Sequence, residues 1–241
     1  GDPHIKTWSD DEETGRHFFM GECDSVLYTS QDFDNGMGLD VHIRTTVRDF
    51  YSFIEAAAVL VGNTVIEMSI GNTGTFYVDG IPMTDADLPM KIEESYVLDK
   101  VATFGKRGSS YMLYMGDVVL ELRVMKLIMA VNIMGAGPGM GDSAGQMGSF
   151  PNGITYGRDG TTIFEADGEL ETIAGEMNPV KNTFGLEWQV RPGQDPELFR
   201  EHREPIWPNK CTFPSEEAKI AATERRKLLA TIDIESATAS C

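Results

Sequence analysis

The feature that most constrains this chain is the recurrence of turn signals between short apolar runs from His17 to Met134. Leu39-Asp40-Val41-His42-Ile43-Arg44-Thr45 alternates strictly. That places Leu39, Val41 and Ile43 on one face of a strand and His42 on the other, where it is expected to meet solvent. Gly62-Asn63 joins the run from Ala57 to Val61 to Val65-Ile66-Glu67-Met68, as a tight hairpin does. Asp79-Gly80 stands in the same relation to Phe76-Tyr77-Val78 and Ile81-Pro82-Met83, and Met115-Gly116-Asp117 separates Tyr111–Tyr114 from Val118–Val124. Lys126 to Met134 reads as one further strand. Many short strands joined by tight turns predict an all-β fold of antiparallel sheets, a sandwich or a barrel.

Two later stretches change character. Glycine recurs at 135, 137, 139, 141, 145, 148, 153, 157 and 160, which describes a loop that must pack closely against something. After Cys211 the period becomes helical. Ser215 is the expected N-cap, Glu216 and Glu217 favour the helix dipole, and Ala218, Ala221, Ala222, Leu229 and Ile232 share one side, with Arg225 the exception. A helix is therefore predicted over 215–232.

Composition narrows the function. A chain of 241 residues with 41% hydrophobic content can bury one large core, with or without a small appendage. A net charge of −18 opposes both nucleic acid and an anionic membrane surface. The longest apolar stretch, Leu127 to Met134, is too short to span a bilayer. No signal peptide is visible, which is uninformative because a mature or excised chain would lack one.

Reaction motifs are sparse. Gly139-Met140-Gly141-Asp142-Ser143-Ala144 formally fits a dinucleotide fingerprint, but Gly145, Gly148, Pro151 and Gly153 preclude the helix that the motif requires. No G-x-S-x-G elbow occurs, and His4, His17, His42 and His202 lack metal-ligand spacing. Asn209-Lys210-Cys211 is the sole sequon-like triplet. The expectation is a non-enzymatic chain. Three cysteines, Cys23, Cys211 and Cys241, imply one internal pair and one remaining thiol if the chain is exported.

Three blocks carry a resemblance. The chain opens Gly1-Asp2-Pro3-His4-Ile5-Lys6-Thr7-Trp8, and continues with Phe18-Phe19-Met20-Gly21-Glu22-Cys23 before the apolar Val26-Leu27-Tyr28. Beyond the glycine-rich loop comes Phe184-Gly185-Leu186-Glu187-Trp188-Gln189-Val190, then Leu198-Phe199. Over about residues 1–211 this resembles von Willebrand factor type D domains. The resemblance implies a β-sandwich over 1–211, closed by a Phe-Gly-x-x-Trp-x-Val strand, and a helical start of a cysteine-rich module over 212–241. It also implies a secreted or cell-surface location and a structural role in adhesion, matrix or filament assembly. Partners would be other extracellular modules, homo-assembly included, with no nucleic acid and no membrane span. A Cys23–Cys211 disulfide is implied, leaving Cys241 for an inter-module or inter-chain bond.

The departures matter equally. Where the family carries two cysteines, this loop reads Ala144-Gly145-Gln146-Met147-Gly148-Ser149, which marks a cysteine-poor branch. The family's loop also supplies calcium ligands, for which Asp10, Asn152 and Asp159 are the candidates here. Few carboxylates remain, so a Ca2+-free loop is the expected state. Some family members cleave themselves at Asp-Pro. Carried over, Asp2-Pro3 is the scissile bond and His4 its assistant, against the favoured reading of a structural turn. The alternative functions are therefore a calcium- or carbohydrate-binding domain, or a self-cleaving one.

Overall fold

In the computed structural model most strands pair with the strand that precedes them in the chain. The structure describes residues 4–9, 16–48, 50–71, 74–102, 108–135, 138–164 and 181–215, with 217, 218, 220, 221 and 224 beyond them. β1 (His4–Lys6) and β2 (Arg16–Phe18) form a small ribbon. β3 (Asp24–Ser30) is followed by one distorted turn, α1 (Phe33–Gly36), and then by β4 (Leu39–Arg48) and β5 (Tyr51–Val61). β6 (Thr64–Ser69), β7 (Thr75–Val78) and β8 (Ile81–Thr84) complete a six-stranded sheet, which runs in chain order from β3 to β8. The second sheet has five strands, again in chain order: β9 (Met90–Ile92), β10 (Tyr96–Val101), β11 (Ser109–Met115), β12 (Val118–Val124) and β13 (Met129–Met134). All pairings are antiparallel.

The expected hairpins are present, with Val61 opposite Thr64, Val78 opposite Ile81 and Met115 opposite Val118. Register then decides what each face buries. Tyr28, Val41, Val59, Ile66 and Val78 make one continuous row across the inner face of the first sheet. Leu98, Leu113, Leu120 and Ile133 make the matching row of the second. All belong to one buried cluster, and the Phe76 and Tyr111 rings meet across the sheets at 5.9 Å. The molecule is an all-β sandwich, its cohesion coming from apolar area removed from water on both inner faces.

The closing strand expected over Phe184–Val190 requires correction. Residues Lys181–Glu187 form a helix, α2, and only Trp188 to Val190 extend along the sheet edge. The N–H of Val26 donates to Trp188 O at 2.8 Å, and that of Val190 to Asp24 O at 2.9 Å. Gly185 shows why the helix lies here. A Cβ on it would stand 2.2 Å from the buried Phe19 ring, so only glycine lets α2 approach so closely.

The glycine-rich loop does pack tightly, as expected. It covers the free edge of β3, where Ala144 and Thr29 exchange backbone hydrogen bonds at 2.9 and 3.0 Å. At Gly145, φ is +111° and a Cβ would lie 2.7 Å from Leu27 O, so the loop sits flush on that strand. At the other end, residues 217, 218, 220, 221 and 224 are helical, and Ser215 Oγ accepts from Ala218 N–H at 3.2 Å. The remainder of the predicted helix, to 232, lies outside the described residues. Among the described residues no helix is long and apolar enough to cross a membrane.

Candidate functional site

The outer face of the six-stranded sheet carries the chain's densest polar chemistry. Alternation along β4 sends Asp40, His42 and Arg44 outward, opposite to Leu39, Val41 and Ile43. Register continues their rows: Val26–His42–Ala58–Glu67–Tyr77 in one, and Asp24–Arg44–Ala56–Ser69 in the next. Ala56 and Ala58 are the small members of these rows. Into the space above them settle Leu198 and Phe199, forming a buried cluster separate from the main core. The segment 188–206, which we call the strap, thus roofs this face.

His42 is consequently fully buried, not solvent-facing as the alternation suggested. A period of two reports which residues share a side, and the other side was covered by chain distant in sequence. The correction extends to the whole polar row. Arg44 forms a bidentate pair with Asp24 at 2.7 and 2.8 Å, donates to Glu201 O at 2.7 Å, and stacks on the Phe199 ring at 4.3 Å. Burial acts to lower the Arg44 pKa, but Asp24 outweighs it and the pKa rises.

The strap's own arginines reach back to the sheet. Arg200 Nε donates to Glu67 at 3.2 Å while its guanidinium covers the Tyr77 ring. Arg203 pairs with Glu55 and donates to Thr45 O. A second hub fastens the glycine-rich loop. Arg158 forks onto both Asp195 oxygens at 2.7 and 2.8 Å, donates to Glu187 O and Gln189 O, and stacks on Trp188 at 4.8 Å. Sequence reasoning singled out none of these arginines. The available signal was Ala56-Ala57-Ala58: an alanine run in a long strand leaves volume on the outer face that something must fill.

Between strap and sheet remains a cavity of about 40 Å³, lined by His42, Arg44, Arg203 and Leu198 among others. Burial of the His42 ring lowers its pKa to about 4; Asp195 opposes that shift and Arg158 adds to it. Neither ring nitrogen has a hydrogen-bond partner among the described residues. Asp40, on the same strand, is pushed the other way by burial, its pKa raised despite a hydrogen bond from Thr29.

Cys23 and Cys211 are joined by a disulfide across a sequence separation of 188, with Cα atoms 5.0 Å apart. It ties the segment leaving the strap to the start of β3, beside the Glu22–Thr212 bridge. Other singled-out residues are placed less tellingly. Asn152 Oδ1 accepts from Ile154 N–H at 3.1 Å inside its own turn. Asp159 is exposed and accepts from Thr161 N–H, Thr162 N–H and Thr162 Oγ, contacts that hold its pKa down at about 2. Each oxygen set serves its own turn, and among the described residues no three His, Cys, Asp or Glu side chains are grouped to hold a metal ion. The two residues therefore do not by themselves fit the carboxylate-rich cage that calcium takes. His4 begins β1, while Asp2, Pro3, Asp10 and Cys241 lie outside the described residues. The chain matches no protein-family model and no curated protein sequence.

Proposed function

We propose that this chain is a type D-like, non-enzymatic module of a secreted or cell-surface protein, serving extracellular adhesion, matrix or filament assembly. The disulfide between Cys23 and Cys211 is the observation that carries the reading. Such a bond persists in oxidising compartments and is rare where thiols are kept reduced. It closes nearly the whole sandwich into one covalent loop, as suits a module that must keep its shape outside the cell. The polar side chains of the covered face support the same reading. Arg158, Arg200 and Arg203 each hold a carboxylate 37, 133 and 148 residues away, and Arg44, paired with Asp24 on the neighbouring strand, also donates to Glu201 O of the strap, which is the work of a scaffold.

Expression behind a secretion signal, with peptide mapping of the thiols, tests the proposal. The expected result is export of folded chain with Cys23 bonded to Cys211. Export with both thiols free, or equal stability of reduced chain made in a cytosol, would overturn it. Cys241 extends the test. An assembling module should carry it in a bond to a neighbouring module or chain, so finding it as a free thiol in native material removes the covalent part of the proposal.

A further inference from the structure

His42 is a fully buried side chain of the covered face with no ion pair or hydrogen bond among the described residues. Its two ring nitrogens lack partners among those residues, and it lines the cavity beneath the strap. At about 10–15 Å³ per ordered water, that space suits roughly three water molecules. A neutral imidazole can persist there with water on one or both nitrogens. An imidazolium, with two donors and a full charge, is far costlier to enclose.

We propose that His42 is the pin of an acid-released latch, in which the strap stays docked on the sheet only while the imidazole beneath it is neutral.

Most of the surrounding charges are already committed. Beside His42 on β4 stand Arg44, which Asp24 of β3 holds, and Asp40, which takes a hydrogen bond from Thr29. Glu67, in the same row on β6, holds Arg200 of the strap. From the glycine-rich loop Arg158 faces the ring, its charge shared with Asp195 of the strap. The strap also contributes Arg203, engaged with Glu55, while Glu197, Glu201 and His202 lie at the exposed rim. Among the described residues a proton added to His42 therefore meets no counter-ion of its own, Asp195 being engaged by Arg158.

The strap is also built to lift without dismantling the sandwich. Its upstream end is tied by the Val190 N–H to Asp24 O, and the chain just downstream by the Cys211 disulfide. Over 191–206 its apolar contact, Leu198 and Phe199 on Ala56 and Ala58, is separate from the main core, while Trp188 and Val190 stay packed on Val26 at the tied end. The direction in pH follows. A released ring takes up its proton near 6.5, whereas the docked ring resists until about 4. The released state then binds more protons throughout that window, so docking is complete above it and weakens up to tenfold per pH unit as pH falls.

Hydrogen exchange of the whole chain between about pH 7 and pH 4.5, corrected for intrinsic rates, tests the latch, with Trp188 and Trp207 fluorescence alongside. Strap opening at 191–206 should grow up to about 100-fold in the wild type while the sheet strands stay protected. In His42→Gln and His42→Leu the same opening should be flat over that range. An equal acid response in the variants would assign the release to groups other than His42 and would sink the proposal. So would a wild-type strap that stays closed, or sheets that open with it. Should either variant fail to fold, NMR titration of the His42 ring in the wild type decides. Proton uptake and strap opening must share one midpoint, and a ring that titrates beneath a closed strap refutes the latch.

Discussion

The two sheets turn opposite outer faces to the world. That of the six-stranded sheet lies under the strap, while on the five-stranded sheet Val97, Tyr114, Val119 and Met134 form a row in which Tyr114 is 40% and Met134 43% exposed. Their charges differ as sharply. Glu121 on the open face is held by Ser110, Arg123 and Asn132, all within 11 residues of it in sequence. Burial acts to raise its pKa, but these donors prevail and lower it. On the covered face Arg200 reaches Glu67 across 133 residues, and Arg44 reaches Glu201 O across 157. A sheet can satisfy its own charges locally when its face is open. Covering that face transfers the task to distant chain, and the cover then depends on each pair.

The comparison breaks hardest at the disulfide. Replacing Cys23 and Cys211 by alanine removes the covalent tie beside the strap and frees a loop of separation 188. On the chain-entropy model that change costs about 5 kcal/mol, an upper figure. Urea denaturation should show a loss of several kcal/mol. Unchanged stability would mean that packing alone holds the strap's downstream end.

What the sequence disclosed follows the same division. Alternation in Leu39–Thr45 and the turn dipeptides Gly62-Asn63 and Asp79-Gly80 are local signals, and they located the inner faces and hairpins correctly. Cys23 and Cys211 could be matched only through the family resemblance, since three cysteines alone leave the pairing open. His42, Arg44 and Arg158 take much of their surroundings from residues 187–206, and no local period encodes them. Phe184–Glu187 failed for a related reason. Its apolar spacing allows a helix or a strand, and the close approach of Gly185 to Phe19 decided for the helix.

Phe199 sharpens the contrast at the level of packing. It is 8% exposed, sits on Ala56 and Ala58, and carries the Arg44 guanidinium on its ring. Phe199→Ala should cost about 3 kcal/mol, since the rigid sheet beneath cannot close the void. The equivalent truncation on the open face, Met134→Ala, should cost under about 1 kcal/mol. Equal losses in equilibrium unfolding would show that the second face is covered as well.

Arg44→Met separates charge from packing on the covered face. Methionine retains much of the stem's contact but leaves Asp24 without its bidentate partner. The pair's side chains are only 10% and 20% exposed, so the uncompensated carboxylate should cost about 2 kcal/mol. Lys100→Met is the control. Its partner Asp85 is about one-third exposed and also accepts from Tyr111 OH. Water can therefore replace the lysine, and the loss should stay below about 1 kcal/mol.

The smallest expected effect tests whether the open face is open in solution. Tyr114 is paired in register with Val97 and Val119, and its ring projects from the sheet with 40% exposure. If water is its neighbour there, Tyr114→Ser removes little buried area and changes stability by no more than about 0.5 kcal/mol. The measurement is most telling at two protein concentrations. A loss that grows as the chain is concentrated would mean that the apolar row is buried against another molecule, since association stabilises by mass action. The asymmetry between the faces would then be a property of the isolated chain alone. A small, concentration-independent change would instead fix the contrast in its sharpest form: one sheet depends on its own distant chain for cover, and the other folds with water against its apolar row.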